Sequence, residues 1–527
     1  MALSITSKAE GASVTLQLEG RFGALEIKEF DGVFQEAVQG KTEALLDFSR
    51  VEYISSAGLR SLFLAKKLMT KQGGDLKVLY PTHEVMEVFK ATGYDNIVNV
   101  VQQNQAPVFY PLRPVQRMMV DTHFQKAEST IMNAGGLARL DDSVDMERMA
   151  DAVNDVITSY DIFKTRFVFH PETGDICQRF DGEVEKIYVE SLSDEAFEQR
   201  KQELRESFEI INQPLYRMYL IQTPAAKYFY CEFYHAIMDG AAVAMLFVRE
   251  IEKRYVRGAE RKEAARKPAS YADYILEESR IPEAELEEGR SYWRKMLDGF
   301  NEKMHLPPQD GGNPADGQEH EVEVPMPFLD KAYFKDREWS ENTFFMGAAM
   351  LAITSLTGAR ESIITWVHNG RMTSSERRLM GLMLEQFPIR WDFDRDISVD
   401  EFLCGLEKRI LEGMKYRKGM DVVYDNGLED RCACFILQKG TMGRRGSFKL
   451  GGAEATIVEM PANEISMAEN VLDIEMNAHD DGTYSLVLSY EIECYSRASM
   501  EAFAHSMERI IQAMKEGGHT VFELLKL

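Results

Sequence analysis

Residues 227–251 change character part-way through, and that change constrains the fold more than any other feature of the chain. Lys227-Tyr228-Phe229-Tyr230-Cys231-Glu232-Phe233 is aromatic and mostly apolar, the composition of a buried strand. After a break at Gly240, the residues Ala242, Met245, Leu246 and Ile251 recur at helical spacing. A strand handing over to a helix fits a layered α/β architecture. The junction itself, Tyr234-His235-Ala236-Ile237-Met238-Asp239-Gly240, holds one histidine and one aspartate at fixed spacing. A histidine there can hold its ring rigidly, and an ordinary pKa near ~6.5 suits proton transfer at neutral pH. A polar residue that merely finishes a strand looks the same in sequence, so the junction alone leaves both roles open for His235.

The chain has 527 residues, too many for one hydrophobic core and suited to three compact units. Hydrophobic residues at 45% and charged residues at 28% are ordinary for globular protein, so no large part of the chain needs a special class. The net charge of -25 argues against nucleic acid and anionic membrane as main partners, since both are polyanions. The six cysteines form no CxxC pair and no zinc spacing, which points to buried thiols in a reducing cytoplasm and to no metal site. No basic start precedes an apolar run, and no apolar stretch is long enough to span a bilayer. The expected location is therefore the cytoplasm.

The first ~100 residues read differently from the rest. Val14, Leu16 and Leu18 alternate with polar neighbours, while Leu45-Leu46-Asp47-Phe48 and Leu76-Lys77-Val78-Leu79-Tyr80 are short strand-like runs with helical patterns between them. This predicts a small α/β domain over residues 1–103. The polar stretch Gln102-Gln103-Asn104-Gln105-Ala106-Pro107 reads as a linker. Beyond it, helices such as the one carrying Met146, Met149, Val153, Val156 and Ile157 alternate with strands, and those methionines are core filler. The breaker-rich segment 306–317 reads as a loop.

From about residue 106 onward the junction is one of a series. It resembles the HHxxxDG motif of nonribosomal peptide synthetase condensation domains and the HxxxDG of chloramphenicol acetyltransferases, with Tyr234 at the first histidine and His235 at the second. Tyr110-Pro111-Leu112-Arg113-Pro114-Val115-Gln116-Arg117 is similar to that family's opening motif, and Ser159 to Phe167 sits where its RHExLRTxF lies. Asn369-Gly370-Arg371 and the stretch Gly381 to Arg390 are similar to its GR and GxFVNTLxLR motifs, with Glu385 at the asparagine. The resemblance implies a two-lobed chloramphenicol acetyltransferase-like condensation fold, with lobes over 107–283 and 284–527 facing one another across a tunnel. It implies that His235 is catalytic and that Asp239, Gly240, Arg371 and Tyr234 shape the active site, Asp239 pairing with Arg371 through a bidentate guanidinium fork. Leu450-Gly451-Gly452 looks like the start of a carrier-protein motif, but Ala453 and Glu454 follow and no serine does. The activated acyl donor is thus expected from outside, as a phosphopantetheine thioester on an acyl or peptidyl carrier protein in trans or as a coenzyme A thioester, with no bound cofactor.

Asp47 to Leu59 resembles the STAS domains of anti-sigma-factor antagonists, over residues ~5 to 103, and places that family's phosphorylatable serine on Ser56. Physically, Ser55 and Ser56 precede a helix whose expected buried face is Leu59, Leu62, Phe63 and Met69, so either hydroxyl can cap its amides. A phosphate on Ser56 adds about two negative charges to any docking surface. The resemblances together imply an acyltransferase that joins a thioester-activated acyl group to an amine or hydroxyl, with a STAS domain for regulation or docking and a regulatory kinase among its possible partners. The alternative they leave open is a condensation-fold binding protein without turnover, acting in a phosphorylation-dependent partner switch; Tyr234 and Glu385 favour it.

Overall fold

The computed structural model describes residues 3–94, 97–101, 107–127, 129–258, 268–316, 320–428, 430–439, 447–458, 460, 470–479 and 481–527. Residues 102–106 of the linker predicted over 102–107 lie outside the described residues. The chain forms two compact units, Met1–Val108 and Phe109–Leu527.

The first unit runs β1 (Ser4–Glu10), β2 (Ser13–Phe22), α1 (Ile27–Ala37), β3 (Glu43–Ile54), α2 (Ser56–Lys71), β4 (Asp75–Leu79), α3 (His83–Thr92), β5 (Asn99–Val101). Its five strands form one sheet in the order β1-β2-β3-β4-β5. The β1–β2 pair is antiparallel and the rest are parallel. Parallel neighbours need crossover connections, and α1, α2 and α3 supply them. The alternation in β2 buries Val14, Leu16, Leu18 and Phe22. On α2, Leu59, Leu62 and Met69 are buried as expected, but Phe63 is 38% exposed, which corrects the predicted face. Leu62 and Phe63 are sequence neighbours ~100° apart on a helix, and Phe63 falls on the outer side of the buried stripe.

The second unit continues with β6 (Tyr110–Pro111), α4 (Pro114–Gln125), β7 (Asn133–Leu140), α5 (Met146–Ser159), β8 (Arg166–Phe169), β9 (Ile176–Arg179), β10 (Val189–Ser191), α6 (Asp194–Glu203), β11 (Tyr216–Gln222) and β12 (Lys227–Tyr234). Then come α7 (Gly240–Ala242), a π-helical turn over Val243–Phe247, α8 (Val248–Arg257), α9 (Tyr271–Glu278), α10 (Glu283–Met296), β13 (Glu321–Met326), α11 (Glu341–Thr357), β14 (Glu361–His368), β15 (Glu385–Asp392) and α12 (Val399–Lys415). The last part holds α13 (Asp421–Tyr424), β16 (Cys434–Lys439), β17 (Ser447–Leu450), β18 (Ala453–Val458), β19 (Leu472–Ala478), β20 (Tyr484–Tyr490), α14 (Arg497–Glu516) and α15 (Val521–Leu524).

Two six-stranded sheets organise these elements, β10-β11-β12-β7-β18-β17 and β13-β20-β19-β16-β14-β15. Each carries its own core: Met149, Val153, Phe229 and Phe233 lie in the first, Phe345, Ile364, Ile474 and Met507 in the second. The late part of the chain returns to the first half twice. The β17–β18 hairpin adds to the edge of β7, and Leu379, Met380, Leu382, Met383 and Leu384 pack in the first core. All six cysteines are free thiols. Among the described residues no helix is long and apolar enough to cross a membrane.

Candidate active site

β12 lies between β11 and β7 and its last six residues are buried, so its carboxyl end is a rigid mount. Tyr234 is its last residue and is fully buried, with its hydroxyl donating to the Met119 carbonyl at 3.1 Å and its ring edge-on to His123. Burial raises its phenol pKa far out of reach, so Tyr234 is a packing residue. His235 follows. Its N–H donates to the Met132 carbonyl at 2.7 Å, and its own carbonyl accepts from Met238 N–H at 3.2 Å, closing a tight turn. The ring is partly exposed, yet Nδ1 is buried with no partner among the described residues. That leaves Nε2 as the candidate nitrogen for contact with a reactant.

Asp239 caps the helix that starts at Gly240, accepting from Ala242 N–H through Oδ1 at 2.7 Å. Its Oδ2 accepts from Met383 N–H at 2.7 Å. Arg371 completes the shell, with Nη1 at 3.0 and 2.9 Å from the two carboxylate oxygens. Both residues are buried, Asp239 at 2% and Arg371 at 8% exposure. The expected two-nitrogen fork is corrected by this geometry. Nη1 alone serves both oxygens, because Nη2 is taken by the Leu379 carbonyl at 3.2 Å and the Gly381 carbonyl at 2.9 Å. Gly370, just before Arg371, has φ of 67°, and a Cβ there would sit 1.6 Å from the Met383 carbonyl oxygen. Only glycine lets the two stretches approach this closely.

Two residues of the opening motif gain roles that the sequence did not assign. Gln116 is fully buried; its Nε2 donates to the Ala236 carbonyl at 2.8 Å, directly after His235, while its Oε1 accepts from Arg113 N–H at 2.9 Å. Arg113 is buried and reaches across the unit. It donates to Glu278 at 2.7 Å, to Glu385 at 2.5 Å and to the Leu382 carbonyl at 2.9 Å. Glu385 also accepts from the Tyr424 hydroxyl at 2.9 Å. Burial pushes the Glu385 carboxyl above the usual range, against the pull of Arg113. For Glu278 burial opposes ionisation too, but Arg113 outweighs it and holds the group below the usual range. The sequence shows only that a glutamine and an arginine stand in the opening motif; their burial, uncommon for these residue types, is visible in the structure alone.

Ser55, not Ser56, caps α2, accepting from Gly58 N–H at 3.2 Å. Ser56 is the first residue of the helix and is exposed, as expected for a modifiable hydroxyl. On the same outer side lie Arg60, Phe63 and Lys67, the Lys67 ammonium 5.4 Å from the Phe63 ring centre.

Comparison with known proteins places both units. A family model described as Condensation domain matches residues 107–523, and one described as Mlab, STAS domain matches residues 5–101. Tyrocidine synthase 3 of Brevibacillus parabrevis is 20% identical over 353 residues, covering 65% of this chain and 5% of that protein. Surfactin synthase subunit 2 of Bacillus subtilis (strain 168) is 22% identical over 453 residues, covering 77% of this chain and 12% of that protein. The chain thus spans only a small part of the curated relatives it matches. Among solved structures, the starter condensation domain of rhizomide synthetase RzmA superposes with a TM-score of 0.64 at 15% identity, covering 79% of this chain and 98% of that one. The X-domain in complex with OxyB from teicoplanin biosynthesis gives 0.65 at 16% identity, covering 80% and 97%. These structural likenesses establish the fold.

Proposed function

The chain belongs to the condensation-domain family, with a STAS domain ahead of that region, and from that premise we propose that it is a condensation-type acyltransferase acting through His235. The donor is a thioester, carried by a separate acyl or peptidyl carrier protein or by coenzyme A, and the acceptor is an amine or a hydroxyl. The acceptor attacks the thioester carbonyl carbon; a C–N or C–O bond forms, the C–S bond breaks, and the acceptor's proton passes by way of His235 Nε2 to the leaving thiolate. The observation that carries this reading is His235 itself, part-exposed at the end of a buried strand, with its backbone held in a tight turn and its Nδ1 buried without a partner among the described residues. Holding two reactants in near-attack geometry is worth roughly 7 to 11 kcal/mol, and proton transfer by a placed histidine ~10² to 10⁴ in rate. A doubly substituted mutant of the RzmA starter condensation domain has been solved in complex with C8-CoA and Leu-SNAC.

For the STAS unit the proposed role is partner docking through the outer face of α2. That face carries Arg60, Lys67 and Lys71 and no acidic residue, in a chain of net charge -25, while Lys66 is paired with Asp75, and Ser56 opens the helix. Such a face suits an acidic protein, a carrier protein or a regulatory kinase, and phosphorylation at Ser56 would oppose it by charge.

Intact-mass analysis of acylated carrier protein, incubated with amine and hydroxyl acceptors and the purified chain, tests the reading. Acceptor-dependent unloading that is lost in His235→Ala is expected. The alternative, a binding protein in a phosphorylation-dependent switch, is favoured by the packing role of Tyr234 and by Glu385. It predicts equal, background unloading by both proteins together with Ser56-dependent partner binding.

A further inference from the structure

Arg371 stands on the segment between β14 and β15, and the peptide groups around it are held from outside the ion pair. Glu376, only 5% exposed, accepts from Met372 N–H at 3.0 Å and Thr373 N–H at 2.8 Å through Oε2. Its Oε1 accepts from Arg417 Nη2 at 2.6 Å. Arg417, in the turn after α12, donates through Nη1 to the Gly370 carbonyl at 3.2 Å. On the strand side His368 Nδ1 accepts from Gly370 N–H at 3.1 Å. Burial, with Arg417 nearby, lowers the His368 pKa to about 4, so that acceptor nitrogen stays unprotonated at neutral pH. The Arg371 N–H is held by Asn369 Oδ1 at 3.1 Å.

These contacts fall in a pattern. The peptide bond before Arg371 is held through its carbonyl by Arg417, the one after it through its N–H by Glu376, and the two holding side chains are bonded to each other. Arg371 in turn meets Asp239, whose carboxylate also fixes Ala242 N–H and Met383 N–H, and Asp239 directly follows the turn that runs from His235 to Met238.

We propose that Glu376 and Arg417 are positioning residues for the reaction centre: a backbone clamp that fixes where Arg371 meets Asp239 and so where the His235 turn sits. The proposal rests on the reading of His235 as the transfer residue. A clamp that shaped only its own loop would have no effect beyond residues 370–378. A clamp that positions the centre transmits its loss to Asp239, and a misplacement of ~1 Å in such a centre can cost ~10²-fold in rate.

The test uses the full chain and three variants, Glu376→Gln, Arg417→Gln and Arg417→Lys. Native-state hydrogen exchange is read at the Ala242 and Met383 amides, both bonded to Asp239. In Glu376→Gln and Arg417→Gln these should exchange ~10-fold faster than in the unchanged protein, with α5 and α14 unaffected. Faster exchange confined to 370–378 would overturn the proposal, whatever the activity. In turnover with octanoyl-coenzyme A and a leucyl N-acetylcysteamine thioester, kcat should fall ~10 to 100-fold with KM little changed, and Arg417→Lys, which keeps a donor and a charge, should recover part of the loss. If the unchanged protein turns over neither probe, that counts against the proposed function, and the exchange result still decides the clamp.

Discussion

At Asp239 one carboxylate meets one guanidinium, whereas at Arg113 one guanidinium is shared by two carboxylates, Glu278 and Glu385. Both bridges are buried, and both tie the first half of the second unit to the stretch that follows β14. The Asp239 bridge balances its charge and fills its acceptors, taking two backbone N–H groups as well as Arg371. The Arg113 bridge carries an excess of acid, eased by Lys418, whose charge acts on Glu278, and by the Tyr424 hydroxyl. Burial raises both partners of Arg113, but with opposite outcomes: at Glu385 it prevails and the carboxyl is driven up, whereas at Glu278 the charge of Arg113 outweighs it and the carboxyl is held down. The lesson is that a bridge holds geometry when every lone pair is matched, and senses pH when two acids compete for one base.

The sharpest way to break this comparison is at Asp239. Asp239→Ala and Arg371→Ala should each cost roughly 3 to 5 kcal/mol in urea denaturation, because each strands a buried charge. The double variant should cost much less than the sum; additive losses would deny the bridge its coupling. Gln116 links Arg113 to the turn that starts at His235, since it serves both the Arg113 N–H and the Ala236 carbonyl. Gln116→Leu leaves both unmatched and should cost roughly 1 to 3 kcal/mol, measured in the same way.

Glu278 and Glu385 give opposite pH slopes. A carboxyl whose folded pKa is raised stabilises below its ordinary value and loses that contribution as pH rises through the raised one. Glu385→Gln should therefore gain stability relative to the unchanged protein as pH climbs through that window. A carboxyl held down contributes above its ordinary value and loses this as pH falls through the lowered one. The cost of Glu278→Gln should fade on acidification. Denaturation midpoints across pH would show parallel slopes if the two acids were equivalent. The smallest effect belongs to a charge outside both bridges. Ser56→Asp, on an exposed helix start, should change stability by less than about 0.5 kcal/mol while weakening a complex with an acidic partner, readable by titration calorimetry.

Much of this arrangement was legible in sequence because the motifs come in a fixed order. The strand through Phe233, the break at Gly240 and the pairing of Asp239 with Arg371 all followed from residues whose spacing is local or whose partner the resemblance named. What escaped was backbone. The second arm of Arg371 is taken by the carbonyls of Leu379 and Gly381, and no side-chain pattern announces a carbonyl. The return of β17–β18 to the first sheet is a pairing with β7 across more than 300 positions, which local periodicity does not encode. Phe63 was placed in the core by its neighbours and lies outside it, where an exposed aromatic serves a docking face better than a core.

The account stands on His235, and single-turnover kinetics tests it most directly. Acyl thioester and amine acceptor are mixed with excess protein, unchanged or His235→Ala, after circular dichroism shows that both are folded. The account predicts acyl transfer slowed by ~10² to 10⁴ in the variant; transfer at the full rate without the imidazole would contradict it.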